Sequence, residues 1–217
     1  MAIYDTEEEQ VEQLKKWWEE NNTSLIAGIA TALVAVTGWN YWQNHQLEQR
    51  QQASQLYQQV LEGAAAGNNQ VVEKLADQLF VEHGSSAYAD YAALQKAKTK
   101  VQGGDLEGAK AILQQQLQSA GDDKLRHIAR LRLVQLMLAT AQYEPGLKLI
   151  AEVDPAKTGG FSASYDELEG DLYVAMDRLD EARNAYQNAI KTGQASPLAQ
   201  FKLDDIGAPT FDPSTAK

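Results

Sequence analysis

Three histidines, His45, His83 and His127, are the side chains of this sequence best suited to holding a transition metal. They lie far apart, and none stands in an HExxH arrangement, which would bring two imidazoles to one helix face. They read as surface or turn histidines. Gly103-Gly104-Asp105 has the glycines of a phosphate-cradling loop but not its Lys-Ser/Thr ending, so it reads as a turn. Asp166, Glu167, Glu169 and Asp171 bring together carboxylates that could exchange protons or bind Ca²⁺. No glycine-centred loop with alternating oxygen ligands surrounds them, and they are expected at the start of a helix, where acids favour the positive end of its dipole. Lys96, Lys98 and Lys100 are expected on a solvated helix face. With no cysteine there is no disulfide and no thiolate nucleophile or ligand. No cofactor and no metal are expected, and no constellation favours an isomerase, a protease or any other enzyme.

Bulk properties narrow the partners. The chain has 217 residues and a formal charge of −11, so a nucleic-acid phosphate backbone would repel it. No nucleic acid is expected as a partner.

Residues 25–42 (LIAGIATALVAVTGWNYW) form an uncharged apolar run. Its length as a helix, about 27 Å, is slightly under a hydrocarbon thickness of roughly 30 Å. The tryptophans decide for a span: Trp17 and Trp18 precede the run, and Trp39 and Trp42 close it. From Trp18 to Trp39 a helix rises about 31 Å, the separation of two interfacial aromatic belts. Seven acids and two bases precede the run, unlike the basic start of a cleaved signal, so it reads as a retained anchor. Lys15 and Lys16 before the span outnumber Arg50 soon after it, which puts the N-terminus in the cytoplasm. Ala27, Gly28, Thr31 and Ala32 lay a strip of small residues along the span, suited to contact with another membrane helix. Val11, Leu14 and Trp18 predict a short amphipathic helix leading into the anchor, and Asn21-Asn22-Thr23-Ser24 are expected to cap the span.

Beyond residue 44 no strand pattern occurs. Apolar and alanine residues recur three and four apart, broken at 67–69, 103–105, 121–123 and 157–160 by short clusters rich in Gly, Asn and Asp. This predicts antiparallel helical hairpins. The clearest unit is residues 168–190 (LEGDLYVAMDRLDEARNAYQNAI), with Gly170 and Tyr173 on a first helix, Asp177 at the turn, and Ala182, Tyr186 and Ala189 on the facing helix. Small residues at Gly170, Ala182 and Ala189 let the two helices approach closely. The pattern is similar to a tetratricopeptide repeat. Upstream, Ala97, Gly104, Ala109 and Leu113 repeat it, as do Val134, Met137, Ala141, Gly146 and Ile150. The second-helix small residues fall at Ala76, Ala109, Gly146 and Ala182, at intervals of 33, 37 and 36. An irregular helical bundle would also place alanines at helix contacts, but four spaced matches favour the repeat. Ala53, Tyr57, Leu75, Ala76, Leu79 and Phe80 form a degenerate first unit, and Leu198, Phe201, Leu203 and Ile206 an apolar capping segment for the last.

The start (IYDTEEEQVEQLKKWWEEN), the end of the span (GWNYWQNHQ) and the repeat domain together resemble the YfgM-like ancillary subunits of the bacterial Sec translocon, over residues 3–206. The resemblance implies a single-pass inner-membrane protein with a periplasmic C-terminal domain. It also implies association with the Sec channel subunits, with a membrane-anchored periplasmic chaperone of the PpiD type, and with emerging secretory proteins.

The expected organisation is all-α: a cytoplasmic acidic tail (1–23), a transmembrane helix (24–43), a periplasmic tetratricopeptide-like α-solenoid (44–207) and a disordered tail (208–217). In such an array the first helix of each repeat lines a groove. By this register Tyr91, Lys98, Gln135, Glu167 and Asp171 point into it. The expected function is that of a scaffold joining the translocon to periplasmic chaperones. The alternative is a regulatory adaptor whose acidic residues 5–20 hold a basic cytosolic stress-response or signalling factor.

Overall fold

The computed structural model describes residues 7–207. The 208–217 tail expected to be disordered, and residues 1–6 of the acidic tail, lie outside them. The described residues form nine α-helices: α1 Glu7–Ala65, α2 Asn69–His83, α3 Ala87–Gln102, α4 Leu106–Ser119, α5 Asp123–Ala139, α6 Tyr143–Ala151, α7 Ser162–Ala175, α8 Leu179–Lys191 and α9 Pro197–Gly207. No strand occurs among them. The chain falls into two compact units, Met1–Gln52 and Ala53–Lys217.

In the first unit the anchor sequence is helical throughout, and the apolar stretch buries none of its surface against the protein. Ile26, Ile29, Leu33, Val34 and Val36 are all exposed, as are the four tryptophans. Burying each such side chain is worth roughly 1.5–3 kcal/mol, so an apolar medium must cover the stretch. The helix is long and apolar enough to cross a membrane. The hydroxyl of Thr31 donates to the carbonyl of Ala27 at 2.8 Å, and that of Thr37 to Leu33 at 2.7 Å. Both polar groups are therefore satisfied within the helix, as a lipid environment requires. One expectation is corrected here: residues 21–24 do not cap a helix start. The helix runs through them, and the Asn21 amide donates back to the Trp17 carbonyl at 2.9 Å, because well-formed turns on both sides propagate across a weak helix former.

The second unit is a row of hairpins closed by one recurring turn. Gly67, Gly104, Ala141 and Asp177, spaced 37, 37 and 36 residues apart, all have positive φ. The residue after each donates its N–H five residues back: Asn68 to Gly63, Asp105 to Lys100, Gln142 to Met137 and Arg178 to Tyr173, at 2.8–2.9 Å. This is the six-to-one closure of a Schellman motif, which satisfies a carbonyl at the end of the first helix. Asn68 and Asp105 then cap the second helix with their side chains, accepting from Val71 and Gly108.

The turns also fix the register and correct it at one place. The small residue of the second helix stands four after the cap at Ala109, Gly146 and Ala182, but in the first hairpin that place is held by Val72. Ala76 lies one helical turn further on, so the interval of 33 becomes 37.

Apolar clusters follow the hairpins in sequence. Ala53, Val60, Val72, Leu79 and Ala92 join the end of α1 to α2 and α3. Leu94, Leu113, Leu125, Leu133 and Met137 join α3, α4 and α5. Val134, Leu168 and Leu172 join α5 to α7, with Leu147 and Ile150 of α6 against them. Each repeat thus buries its face only against neighbours, as a solenoid does. Two helices approach closely in the last hairpin, where a methyl group at Gly170 would stand 2.5 Å from a ring carbon of the buried Tyr186.

We expect Gly170→Ala to lower the stability of the repeat unit by about 1–3 kcal/mol through overpacking. At Gly146 the added methyl would meet only Leu172 side-chain atoms, at 3.2 Å, so Gly146→Ala should cost less. Chemical denaturation of the full-length chain in detergent compares the two, and an equal or reversed order would contradict this register.

Candidate protein-binding groove

Lys98, Gln135 and Asp171 stand six residues before the turns at Gly104, Ala141 and Asp177, so they occupy one repeated place on successive first helices. Lys98 and Gln135 line a cleft of about 400 Å³ between α3 and α5, floored by Ala97, Leu113 and Leu136. Gln135 also lines a second depression with Glu167 and Asp171, between α5, α7 and the start of α9. The structure therefore brings four of the five expected groove residues onto one continuous surface. Tyr91, the fifth, is 40% exposed and belongs to an aromatic cluster, its ring 5.8 Å from that of Tyr57 and 6.4 Å from that of Tyr88.

Glu167 and Asp171 are already engaged. The Glu167 carboxylate accepts from the backbone N–H of Ser196 and, at 2.7 Å, from its hydroxyl. Asp171 Oδ1 accepts from the Tyr186 hydroxyl at 2.6 Å, and both its oxygens accept from Lys202 Nζ, at 2.6 and 2.7 Å. Burial, first, and then the acceptor Asp171 hold the Tyr186 phenol far above its ordinary pKa, so it remains a donor. Arg183 donates to the Ile206 carbonyl at 3.1 Å. Together these contacts seat α9 on the last hairpin. The apolar cap expected from Leu198, Phe201, Leu203 and Ile206 is corrected in part: Leu198 and Phe201 are exposed, and α9 buries Ala199 instead. The reason is rotation of the helix to bring Lys202 onto Asp171.

The acidic cluster divides by helical phase. Asp166 and Glu169 face a separate cavity beside α6, of about 270 Å³. Burial, helped by the charge of Glu169, raises the Asp166 pKa. Nor do these acids lie in the first turn, since α7 begins at Ser162 after two short 3-10 turns. The expected dipole role is thereby corrected. The lysine trio splits too. Lys96 pairs with Asp77 at 2.6 Å and Lys100 with Glu73 and Asp105 at 3.0 and 3.1 Å, while Lys98 faces the cleft with no ion pair among the described residues.

Of the histidines, His45 stacks on Tyr41 with ring centroids 6.5 Å apart, and His83 ends α2. His127 lies 2.8 Å from the Tyr165 hydroxyl and 3.2 Å from the Lys157 carbonyl. Burial pushes the Tyr165 phenol up to about 12. Among the described residues no three His, Asp or Glu side chains converge as a metal site.

The repeat packing residues are buried where the pattern placed them: Ala109, Gly146, Gly170, Ala182, Tyr186 and Ala189. Tyr173 lies at the edge, with the Arg178 guanidinium 4.6 Å over its ring.

Comparison with known proteins agrees with this architecture. The tetratricopeptide repeat-like domain family matches residues 15–208. An ancillary SecYEG translocon subunit of Haemophilus influenzae is 31% identical over 208 residues, covering 95% of this chain and 100% of that protein. Its counterpart from Escherichia coli is 29% identical over 209 residues, covering 95% and 99%. The chain belongs to the ancillary SecYEG translocon subunit family. Among solved structures, a MamA fragment from Desulfovibrio magneticus RS-1 is similar with a TM-score of 0.56 and 15% identity, over 71% of this chain and 83% of that one. A MamA RS-1 double mutant gives 0.57 and 16%, over 75% and 87%. These two likenesses concern the fold alone.

In this family member, sequence reasoning missed Arg132, which lines the cleft with Lys98 and donates to the Leu94 carbonyl at 3.3 Å. It also missed Tyr88. The sequence signal available for Arg132 was its place three residues before Gln135 on the same helix face.

For Asp171→Ala we expect faster amide hydrogen exchange in α9, with α3 and α4 unchanged, and a stability loss of about 1–3 kcal/mol from the unpaired partners. Unchanged exchange in α9 would show that its seat does not depend on this carboxylate.

Proposed function

We propose that this protein is a non-enzymatic scaffold of the bacterial inner membrane. In this reading it associates with the Sec translocon, links it to periplasmic chaperones of the PpiD type, and helps emerging secretory proteins pass between them through its repeat groove. The observation that carries the reading is the end-to-end match, anchor included, to proteins named ancillary SecYEG translocon subunits. The groove supports it chemically, since its walls offer apolar and polar contacts for a polypeptide. Lys15 and Lys16 against Arg50 favour a cytoplasmic N-terminus and a periplasmic repeat unit. Trp17, Trp18, Trp39 and Trp42 then anchor the helix at the two interfaces. Ala27, Gly28, Thr31 and Ala32 would form its contact with a membrane partner, since a side chain added at Gly28 would meet nothing within the protein.

A photo-crosslinking residue at Gln135 in intact membranes is expected to recover channel subunits or a PpiD-type chaperone, and removal of residues 1–20 should leave those crosslinks in place. Recovery of neither partner by a folded protein contradicts the scaffold. Crosslinks lost with residues 1–20 favour the cytosolic adaptor instead.

Orientation has its own test. A cysteine at the exposed Ser164 should react with a membrane-impermeant maleimide from the periplasmic side of unbroken cells, whereas reaction only after inner-membrane rupture reverses the topology.

A further inference from the structure

The cleft between α3 and α5 differs from the rest of the groove in its charges. α5 packs closely against α7, whereas α3 and α5 stand further apart and are bridged by the Arg132 side chain. The gap leaves an opening of about 400 Å³ whose walls are mainly apolar, from Ala97, Val101, Leu113 and Leu136. Lys98 of α3 and Arg132 of α5 both line it, and Arg132 reaches over to the Leu94 carbonyl of α3. Among the described residues neither is in an ion pair, although neighbouring cations on the same elements are: Lys96 with Asp77, Lys100 with Glu73 and Asp105, Arg130 with Glu152. In a chain of net charge −11, two cations without an ion pair among the described residues, beside the exposed Val101 and above the buried Ala97, Leu113 and Leu136, form a locally positive site on an acidic protein. The Tyr57, Tyr88 and Tyr91 rings lie nearby on the α3 side. Burial, and then Tyr91, raise the Tyr57 pKa, and the charge of Arg132 acts against them.

We propose that this cleft receives an acidic segment of a protein partner, which seats a large apolar side chain against the exposed Val101 while flanking carboxylates pair with Lys98 and Arg132. The inference rests on the scaffold reading above and names the partner chemistry of its groove. Charge complementarity selects the occupant. A basic segment would meet Lys98 and Arg132, and a purely acidic one would leave Val101 uncovered. Arg132 suits the role because its fork can take a carboxylate with two hydrogen bonds while one nitrogen stays on the Leu94 carbonyl. The tyrosines extend the apolar contact beyond the cleft with side chains that lose little conformational entropy on binding.

The test uses the purified full-length chain in detergent and a pool of short fluorescein-labelled peptides. Each has Asp or Glu on both sides of a central Leu-Phe pair, with flanks randomised between Ala and Ser. Two control pools replace the acids by Lys or the Leu-Phe pair by Ser-Ser. The acidic, apolar pool is expected to bind, both controls to fail, and binding to weaken as salt rises. Lys98→Glu and Arg132→Glu should each weaken it about tenfold or more, with Lys98→Arg close to the parent. Both sites are exposed, and an unchanged circular dichroism melt confirms that the variants fold. Equal binding of the Lys pool, no binding of the acidic pool, or indifference to both charge reversals overturns the proposal. Binding that appears only after residues 208–217 are removed overturns it in favour of this chain's own C-terminal segment. Self-association abolished by Lys98→Glu overturns it in favour of a second copy. If crosslinks from Gln135 to channel subunits persist while peptide binding fails, the acidic-segment inference falls and the scaffold reading stands.

Discussion

A single residue with positive φ closes each hairpin of the repeat unit, and the helical phase of Lys98, Gln135 and Asp171 follows from it. At Gly67 and Gly104 the left-handed conformation costs little, because glycine has no Cβ to clash. At Ala141 and Asp177 it costs roughly 1–2 kcal/mol. The fold sustains that cost because the next N–H reaches back five residues to a carbonyl that would otherwise lack a partner. Once the turn is set, the residue seven before it meets the second helix, and the residue six before it faces the groove. Val60, Ala97, Val134 and Gly170 are buried at the first of these places. Lys98, Gln135 and Asp171 stand at the second.

The same fixed register gives the groove an uneven character along its length. At the last repeat Asp171 and Glu167 are consumed by α9, which ends the array with an ionic and hydrogen-bonded seat in place of an apolar one. At the cleft between α3 and α5 the place of Asp171 is taken by Lys98 and Gln135, and Lys98 makes no ion pair among the described residues. The anchor obeys the opposite rule. Its apolar side chains bury nothing within the protein and its hydroxyls bond only to their own helix, so it is stable only where lipid replaces water.

Much of this was legible in the residues. Hairpin boundaries followed from Gly, Asn and Asp clusters because those residues supply left-handed turns and caps, and the small residues of the last hairpin followed from its close helix packing. The first hairpin was misphased by one helical turn because Val72 fills the place that alanine or glycine takes elsewhere. Nothing in its size marks the register, and only Gly67 does. The division of the acidic cluster between two faces of α7 needed the helix start, which the 3-10 turns before Ser162 conceal in the sequence. Arg132 and Tyr88 escaped because the cleft depends on the distance between α3 and α5, which no local pattern encodes. The false cap at residues 21–24 has the same origin: Asn and Thr are strong caps where a helix begins, but local preference yields where helix continues on both sides.

The central claim, that an anchored repeat scaffold works at the translocon, is tested most directly by quantitative mass spectrometry of what the full-length chain retains when captured from membranes in mild detergent. The account requires SecYEG subunits to be enriched over a control in which an unrelated single-pass protein is captured at the same level. Equal recovery of SecYEG subunits from both, with the captured chain intact and folded, would contradict it.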